Sequence, residues 1–177
     1  MKSCLLDAGP LVALFDPQDR FHAHFQQLML EPQVPLQLHT TWPCITEACH
    51  LLGPRYRVAL LPWVGAGAVQ VFPFESGDLP QMCEWILRYT QQPRTEMDLA
   101  DASLYWLACE TGVTQIFTVD VRDFSRYRLP DGRSFAAKGA APGPQAVLRL
   151  RDNDVFARLI REGELGFCDA YLDGDWD

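Results

Sequence analysis

The sequence predicts an α/β fold: three layers, with a central parallel sheet of four or five strands and helices on both faces. Three observations carry this. Short β-type runs alternate with helical runs through about residue 135. The first run, SCLL, is apolar almost throughout, as a strand buried on both faces is. Glycine and proline fall mostly between the runs, where they punctuate.

Taken in order, residues 3–6 form the first strand, and Gly9-Pro10 opens a helix through Phe15, with proline suited to a first helical turn. Residues 20–30 read as a second helix, closed off by Pro32 and Pro35. A second strand spans 36–41. Pro43 starts the next helix, which carries Ile45, Cys49, Leu51 and Leu52. Residues 57–63 form a short helix before Gly65-Ala66-Gly67, and AVQVFPF at 68–74 is a third strand. Residues 79–91 form an amphipathic helix. Its Cys83, Trp85, Ile86 and Tyr89 belong to the core or to a dimer interface rather than to a cofactor box. Residues 98–111 form the most regular helix, closed by Gly112 at C′, and QIFTV at 115–119 is a fourth strand. The sequence has no internal repeat. The main body spans 1–135, a Gly-, Ala- and Pro-rich linker 136–145, and a C-terminal extension 146–177.

A chain of 177 residues, 48% apolar, suits one domain with a small appendage. No apolar run approaches the roughly 20 residues of a membrane helix. The N-terminus reaches Asp7 too soon for a secretory signal, so a cytoplasmic protein is expected. The net charge of −8 argues against a broad basic grip on nucleic acid. It leaves room for an acidic metal site. Cys4, Cys44, Cys49, Cys83, Cys109 and Cys168 contain no C-x-x-C pair and mostly sit in apolar segments, so buried thiols are expected rather than a zinc site.

Two acids stand at predicted strand ends, Asp7 after SCLL and Asp120 after QIFTV. In open parallel sheets, ligands bind beyond the carboxyl ends of the strands. Either acid alone could equally cap the helix that follows. Asp101 lies on or beside an apolar helix face, with Leu104, Tyr105 and Ala108 at i+3, i+4 and i+7. A carboxylate there needs a partner or a metal, although Asp98 as N-cap with Asp101 at N3 is the purely structural alternative. Glu47 repeats the pattern between Cys44 and Leu51. Four carboxylates from four segments thus converge on one sheet edge. Oxygen donors suit Mg²⁺ or Mn²⁺. With no phosphate-cradling glycine loop, the cluster points to phosphodiester hydrolysis by a metal-activated water.

The segments LLDAGPLVALFD, TTWPCITEACHLL, MDLADASLYWLACETG and IFTVDVRDFSRYRL resemble the four acidic motifs of PIN-domain proteins, and VapC-like toxin ribonucleases of type II toxin–antitoxin systems most of all. The resemblance spans about residues 3–135 and implies a PIN-like fold. It also implies that Asp7, Glu47, Asp101 and Asp120 bind the catalytic metal, with Asp98 and Asp123 at supporting acidic positions. Thr118 matches a hydroxyl that lines the family's site. Asp-Ala-Gly-Pro stands where many members have Asp-Thr or Asp-Ser, which removes one hydroxyl from the pocket. The family further implies cleavage of RNA with Mg²⁺ or Mn²⁺, homodimers, and a cognate antitoxin that blocks the site.

Among other groups, His22, His24, His39 and His50 lack i, i+4 spacing and read as surface or locally bonded residues. Arg122, Arg126, Arg128 and Arg133, interleaved with Phe124 and Tyr127, would suit single-stranded RNA; a solvated loop is the plainer alternative. Residues 149–177 hold four Arg and eight acids. The stretch AVLRLRDNDVFARLIREGELGFCDAYLDGDWD resembles the N-terminal segment of cyclopropane-fatty-acyl-phospholipid synthases. No glycine-rich loop for S-adenosylmethionine accompanies it, so methyltransferase activity is not expected. One helix is expected at 154–162. The function expected for the whole is a metal-dependent endoribonuclease toxin. The alternatives are a non-catalytic PIN-like module acting through a protein partner and a PIN nuclease of RNA processing.

Overall fold

The computed structural model describes residues 2–30, 35–90, 96–138, 151–152, 155–156, 158 and 168–176. The chain divides into two compact units, Met1–Ala141 and Pro142–Asp177.

The first unit is a five-stranded, wholly parallel sheet flanked by helices. In chain order it runs β1 (Lys2–Leu6), α1 (Ala8–Phe15), α2 (His22–Leu30), β2 (Leu36–Thr41), α3 (Trp42–Leu51), α4 (Pro54–Gly65) and β3 (Gln70–Phe72). It continues through a 3₁₀ turn, Ser76–Asp78, to α5 (Leu79–Tyr89), α6 (Leu99–Thr111), β4 (Gln115–Phe117), α7 (Val121–Arg126) and β5 (Ala136–Lys138). The strand order is β3-β2-β1-β4-β5. β1 pairs with β2 from Lys2↔Leu36 to Leu5↔His39, and with β4 at Leu5↔Ile116 and Leu6↔Phe117. The chain therefore leaves β1 toward one edge and later returns to its other side. The gap between β1 and β4 is the topological switch point, where ligands of such sheets bind.

Burial explains the central position of β1. Cys4, Leu5 and Leu6 are all buried, the continuous run expected of a strand covered on both faces. α1 packs with α2, α3 and α4, while α6 packs with α5, α3 and β2. α6 buries Ala100, Ala102, Ser103, Leu104, Tyr105, Leu107 and Ala108, so almost its whole circumference is interior. Asp98 caps its N-terminus, and Gly112 ends it at φ 72°, the left-handed conformation that glycine adopts most easily.

Several boundaries differ from the sequence expectation for stated reasons. β3 is only three residues long because Pro73 offers no N–H to extend the ladder. β4 stops at Phe117, and the next residue, Thr118, bonds the Asp7 carboxylate through its hydroxyl. Ala136–Lys138, read as the start of a linker, is β5 and pairs with β4; two alanines give almost no strand signal. The six-residue α7 follows Asp120, where the capping alternative places a helix. The remainder of the expected linker, 139–145, lies outside the described residues.

No disulfide joins the six cysteines. The expectation of buried thiols fails for Cys83 and Cys168, which are exposed. Cys83 occupies the outer face of α5, whereas Trp85 takes the inner one. In the second unit residues 155, 156 and 158 are helical; the other positions of the expected 154–162 helix lie outside the described residues. Residues 168–172 add a second helical turn, closed by Gly174 at φ 82°. The Arg158 guanidinium meets Asp173 at 2.7 Å and Asp175 at 3.0 Å. No helix among the described residues is long and apolar enough to cross a membrane.

Candidate functional site

Asp7 follows β1 directly and is the N-cap of α1, where its Oδ1 accepts the Ala8 N–H at 2.7 Å. Its backbone N–H donates to Phe117 O at 3.1 Å, which ties the end of β1 to the end of β4. Its Oδ2 accepts a hydrogen bond from Thr118 Oγ1 at 2.8 Å. Thr118 is fully buried, and its Oγ1 also accepts the Asp120 N–H at 2.8 Å. One hydroxyl thus positions the acids after both central strands.

Asp120 is the N-cap of α7 but makes no side-chain capping bond, so its carboxylate is not committed to the helix. On α6, Asp98 Oδ1 accepts the Asp101 N–H at 2.9 Å, and Asp98 stays exposed. The capping alternative therefore accounts for Asp98. It does not account for the Asp101 side chain, whose Oδ2 accepts a hydrogen bond from Tyr127 Oη at 2.9 Å. Burial and the adjacent Asp101 carboxylate push the Tyr127 phenol up, so it remains a donor. Glu47 lies half-buried on α3. α3 is anchored to α6 by Thr41 Oγ1 lying 2.5 Å from Ser103 Oγ, and Ser103 Oγ in turn bonds Ala100 O at 2.7 Å.

The electrostatics mark these acids as one group. Desolvation, followed by repulsion from Asp7 and Asp98, raises Asp101 to about 8. Desolvation, Asp98 and Asp7 raise Glu47 to about 7. Desolvation raises Asp7 to about 6 against the lowering effect of its bonds to Thr118 and Ala8, with Asp120 and Asp98 adding repulsion. Asp120 is raised by desolvation, Asp123 and Asp98. No cation figures among the principal influences on these four groups.

Asp123 is paired with Arg126 at 3.2 Å and also repels the neighbouring Asp120 carboxylate. Arg126 also donates to Tyr89 O at 3.2 Å, Arg128 binds backbone at Ser125 O and Tyr127 O, and Arg133 holds Asp131 and Gly112 O. Of the four arginines considered for RNA contact, three are engaged with the protein itself; Arg122 is exposed. Tyr127 and Phe124, read as interleaved RNA-contacting aromatics, are instead buried against one another and Phe135. The histidines also divide. His22 Nδ1 bonds Ala13 O at 2.7 Å, and His50 is exposed. His39 is neither surface nor bonded: it is buried beside Phe72, and neither ring nitrogen has a partner among the described residues.

Among solved structures, the chain resembles the crystal structure of Mycobacterium tuberculosis VapC20, a toxin that cleaves the sarcin–ricin loop. The TM-score is 0.56 at 20% identity, over 64% of this chain and 86% of that one. The fold is PIN-like. At this identity the likeness speaks for the PIN-like fold alone. No family profile matches the sequence, and no curated protein does. The resemblance of the tail to cyclopropane-fatty-acyl-phospholipid synthases finds no support in these comparisons.

The donor set around the PIN-like switch point is all carboxylate oxygen, which suits a hard divalent cation. Among the described residues, no three His, Cys, Asp or Glu side chains stand close enough together to hold a metal ion as they are placed. Magnesium is commonly held by one or two carboxylates, with waters and substrate phosphates completing its shell, so the residues fit such an ion without a closed cage. Tyr127 is the site residue that sequence reasoning assigned to another task. Its bond to Asp101 spans 26 positions, and nothing local signals it.

Proposed function

We propose that this chain is a metal-dependent endoribonuclease that hydrolyses RNA phosphodiester bonds, acting as the toxin of a type II toxin–antitoxin pair. One observation carries the reading. Asp7, Glu47, Asp101 and Asp120 come from four separate segments, yet desolvation, and after it repulsion among these acids, Asp98 and Asp123, raises each above the ordinary carboxylate range with no cation among the principal influences. A protein keeps such a cluster at a switch point for a ligand that supplies positive charge.

Mg²⁺ or Mn²⁺ would be held within the group Asp7, Glu47, Asp101 and Asp120, by one or two carboxylates at a time with waters and substrate phosphate, and with Asp98 and Asp123 at the margin. A bound ion supplies Lewis acidity and a water of lowered pKa at the scissile phosphate. The protein's own part is positional. Thr118 orients Asp7, and Tyr127 orients Asp101. RNA as substrate, a cognate antitoxin, a homodimer and a cytoplasmic location belong to the same reading. The net charge of −8 suits a basic antitoxin.

A second reading, a non-catalytic PIN-like module that binds a protein partner, is favoured by the acids' failure to form a ready three-ligand set. Cleavage of labelled structured RNAs separates the two, with a sarcin–ricin-type hairpin among the substrates and Mn²⁺, Mg²⁺ or EDTA present. Metal-dependent cutting that is lost in Asp7→Asn and Asp101→Asn supports the ribonuclease. Folded protein that cuts no RNA with either metal leaves the binding module.

A further inference from the structure

A cleft of about 760 Å³ opens beside the acids. One wall is the start of α3, with Trp42 and His50; the run after β3 gives Phe74; the start of α6 gives Leu99. Glu47 and Asp98 line it too, so the cleft is continuous with the carboxylate cluster. Its size lies in the range of small-molecule pockets, which is roughly 300–1,000 Å³.

Trp42 is 52% exposed in this cleft, and Leu99 is 44% exposed. The backbone that presents the indole is held on both sides. Thr41 before it is anchored to Ser103, Pro43 after it restricts the chain, and Thr46 Oγ1 donates to Trp42 O at 2.9 Å. Phe74 is braced edge-on against Trp106 at 6.0 Å between ring centres. A large exposed aromatic on a pinned backbone beside an acid cluster has no role in the core.

We propose that this cleft is a nucleobase subsite and that Trp42 is its stacking residue, holding one unpaired base of single-stranded RNA next to the scissile phosphate. The proposal rests on the ribonuclease reading. Among the described residues the lining holds no Lys or Arg, and it does hold two carboxylates. The lining itself therefore offers a phosphate no positive side chain, whereas a neutral planar base presents an apolar face to the indole. Stacking is open only to bases released from a duplex, so the subsite selects loops, bulges and single strands. His50 and Thr46, exposed at the rim, offer hydrogen bonds to a base edge.

The test is a binding titration by fluorescence anisotropy with short single-stranded RNA and Mn²⁺, in an Asp120→Asn background that prevents cutting. Trp42→Ala should weaken binding about tenfold, the scale of one stacked base, and Trp42→Phe should keep most of the affinity. An RNA with one base replaced by an abasic site is then scanned through every position. At a single position the abasic loss and the Trp42→Ala loss should fail to add. Unchanged affinity in Trp42→Ala overturns the proposal, as does a loss that adds at every abasic position. A Trp42→Ala chain that binds RNA normally but changes oligomeric state assigns the face to a second copy instead; one that loses only a basic peptide partner assigns it to that partner. Trp42-dependent binding by a native chain that cuts no RNA would overturn the ribonuclease reading and leave the subsite standing. No binding of RNA at all overturns both. Melting curves of the Trp42 variants, whose side chain is half outside the core, verify that they remain folded.

Discussion

Thr118 and Asp7 stand 111 positions apart, and Thr118 Oγ1 donates a 2.8 Å hydrogen bond to Asp7 Oδ2. The same oxygen accepts the Asp120 N–H, so one hydroxyl uses both its donor and an acceptor lone pair between two acids. The bond crosses from β4 to β1 at the switch point. It ties the Asp7 carboxylate to the backbone of Asp120.

Thr118→Val keeps the shape and removes the hydroxyl. A buried carboxylate then loses a charge-favouring bond, and the Asp120 N–H loses its acceptor. The expected loss is about 1–3 kcal/mol of stability near neutral pH, with weaker Mn²⁺ binding. Thr118→Ser should stay close to the native chain. Denaturant unfolding and calorimetric titration of Mn²⁺ measure the two effects, and a Val variant that matches Ser in both would count against the role given to this hydroxyl.

The raised carboxylates set the direction of the pH dependence. Asp7 at about 6, Glu47 at about 7 and Asp101 at about 8 all lie above the value of about 4 expected in the unfolded chain. Between these limits the folded chain retains protons that the unfolded chain has released. Stability without metal therefore falls as pH rises from about 4 to about 8 and levels off beyond. Asp101→Asn cannot ionise, so its advantage over the native chain should be small near pH 4 and full above pH 8, by about 1 kcal/mol or more, or roughly 2–4 °C. Melting temperatures recorded against pH in EDTA provide the check. A native profile that is flat or rises over this range would contradict it.

A divalent cation acts on the same repulsion from the other side. Binding is stronger where the acids are already ionised, and it releases protons where they are not. Mn²⁺ should raise the melting temperature more at pH 8 than at pH 6, and EDTA should reverse the gain. Asp101→Asn, already relieved of one charge, should gain less. A shift of equal size in native, Asp7→Asn and Asp101→Asn chains would place the ion somewhere else.

What could be read from the sequence was what is local. SCLL announces a central strand by its nearly continuous apolar character, LQLHTT by leucines alternating with polar residues and a β-branched end, and Gly112 ends α6 because a left-handed C′ residue is a one-residue signal. Asp7, Glu47, Asp101 and Asp120 were legible as acids at strand ends or on apolar helix faces. Of their partners, Thr118 was legible through the family resemblance and Tyr127 was not. Tyr127 carries the same letter whether it contacts RNA or donates to Asp101, and only tertiary packing decides. The arginines that follow Asp120 looked available because sequence gives no account of acceptors such as Tyr89 O and Gly112 O. β5 escaped because its pairing with β4 is imposed by the fold and not by the propensity of Ala136 and Ala137.

Gly9 illustrates a constraint that its neighbours in the sequence conceal. A Cβ built there would lie 2.3 Å from Val119 Cγ2 and 3.3 Å from Val119 Cβ. Val119 stands between Thr118 and Asp120, so the first turn of α1 lies directly against the loop that orients two of the acids. A valine side chain is stiff about χ1 and cannot swing clear cheaply. Gly9→Ala should therefore move the Thr118–Asp120 loop, lower stability by about 1–3 kcal/mol and weaken Mn²⁺ binding along with RNA cleavage. Adding Val119→Ala removes both γ-carbons from the clash, so the double variant should recover metal binding even if some packing stability is lost. If Gly9→Ala alone binds Mn²⁺ like the native chain, the close approach of α1 does not set the acid geometry. If Val119→Ala fails to restore binding, the damage comes from the helix turn itself and not from the loop it presses on.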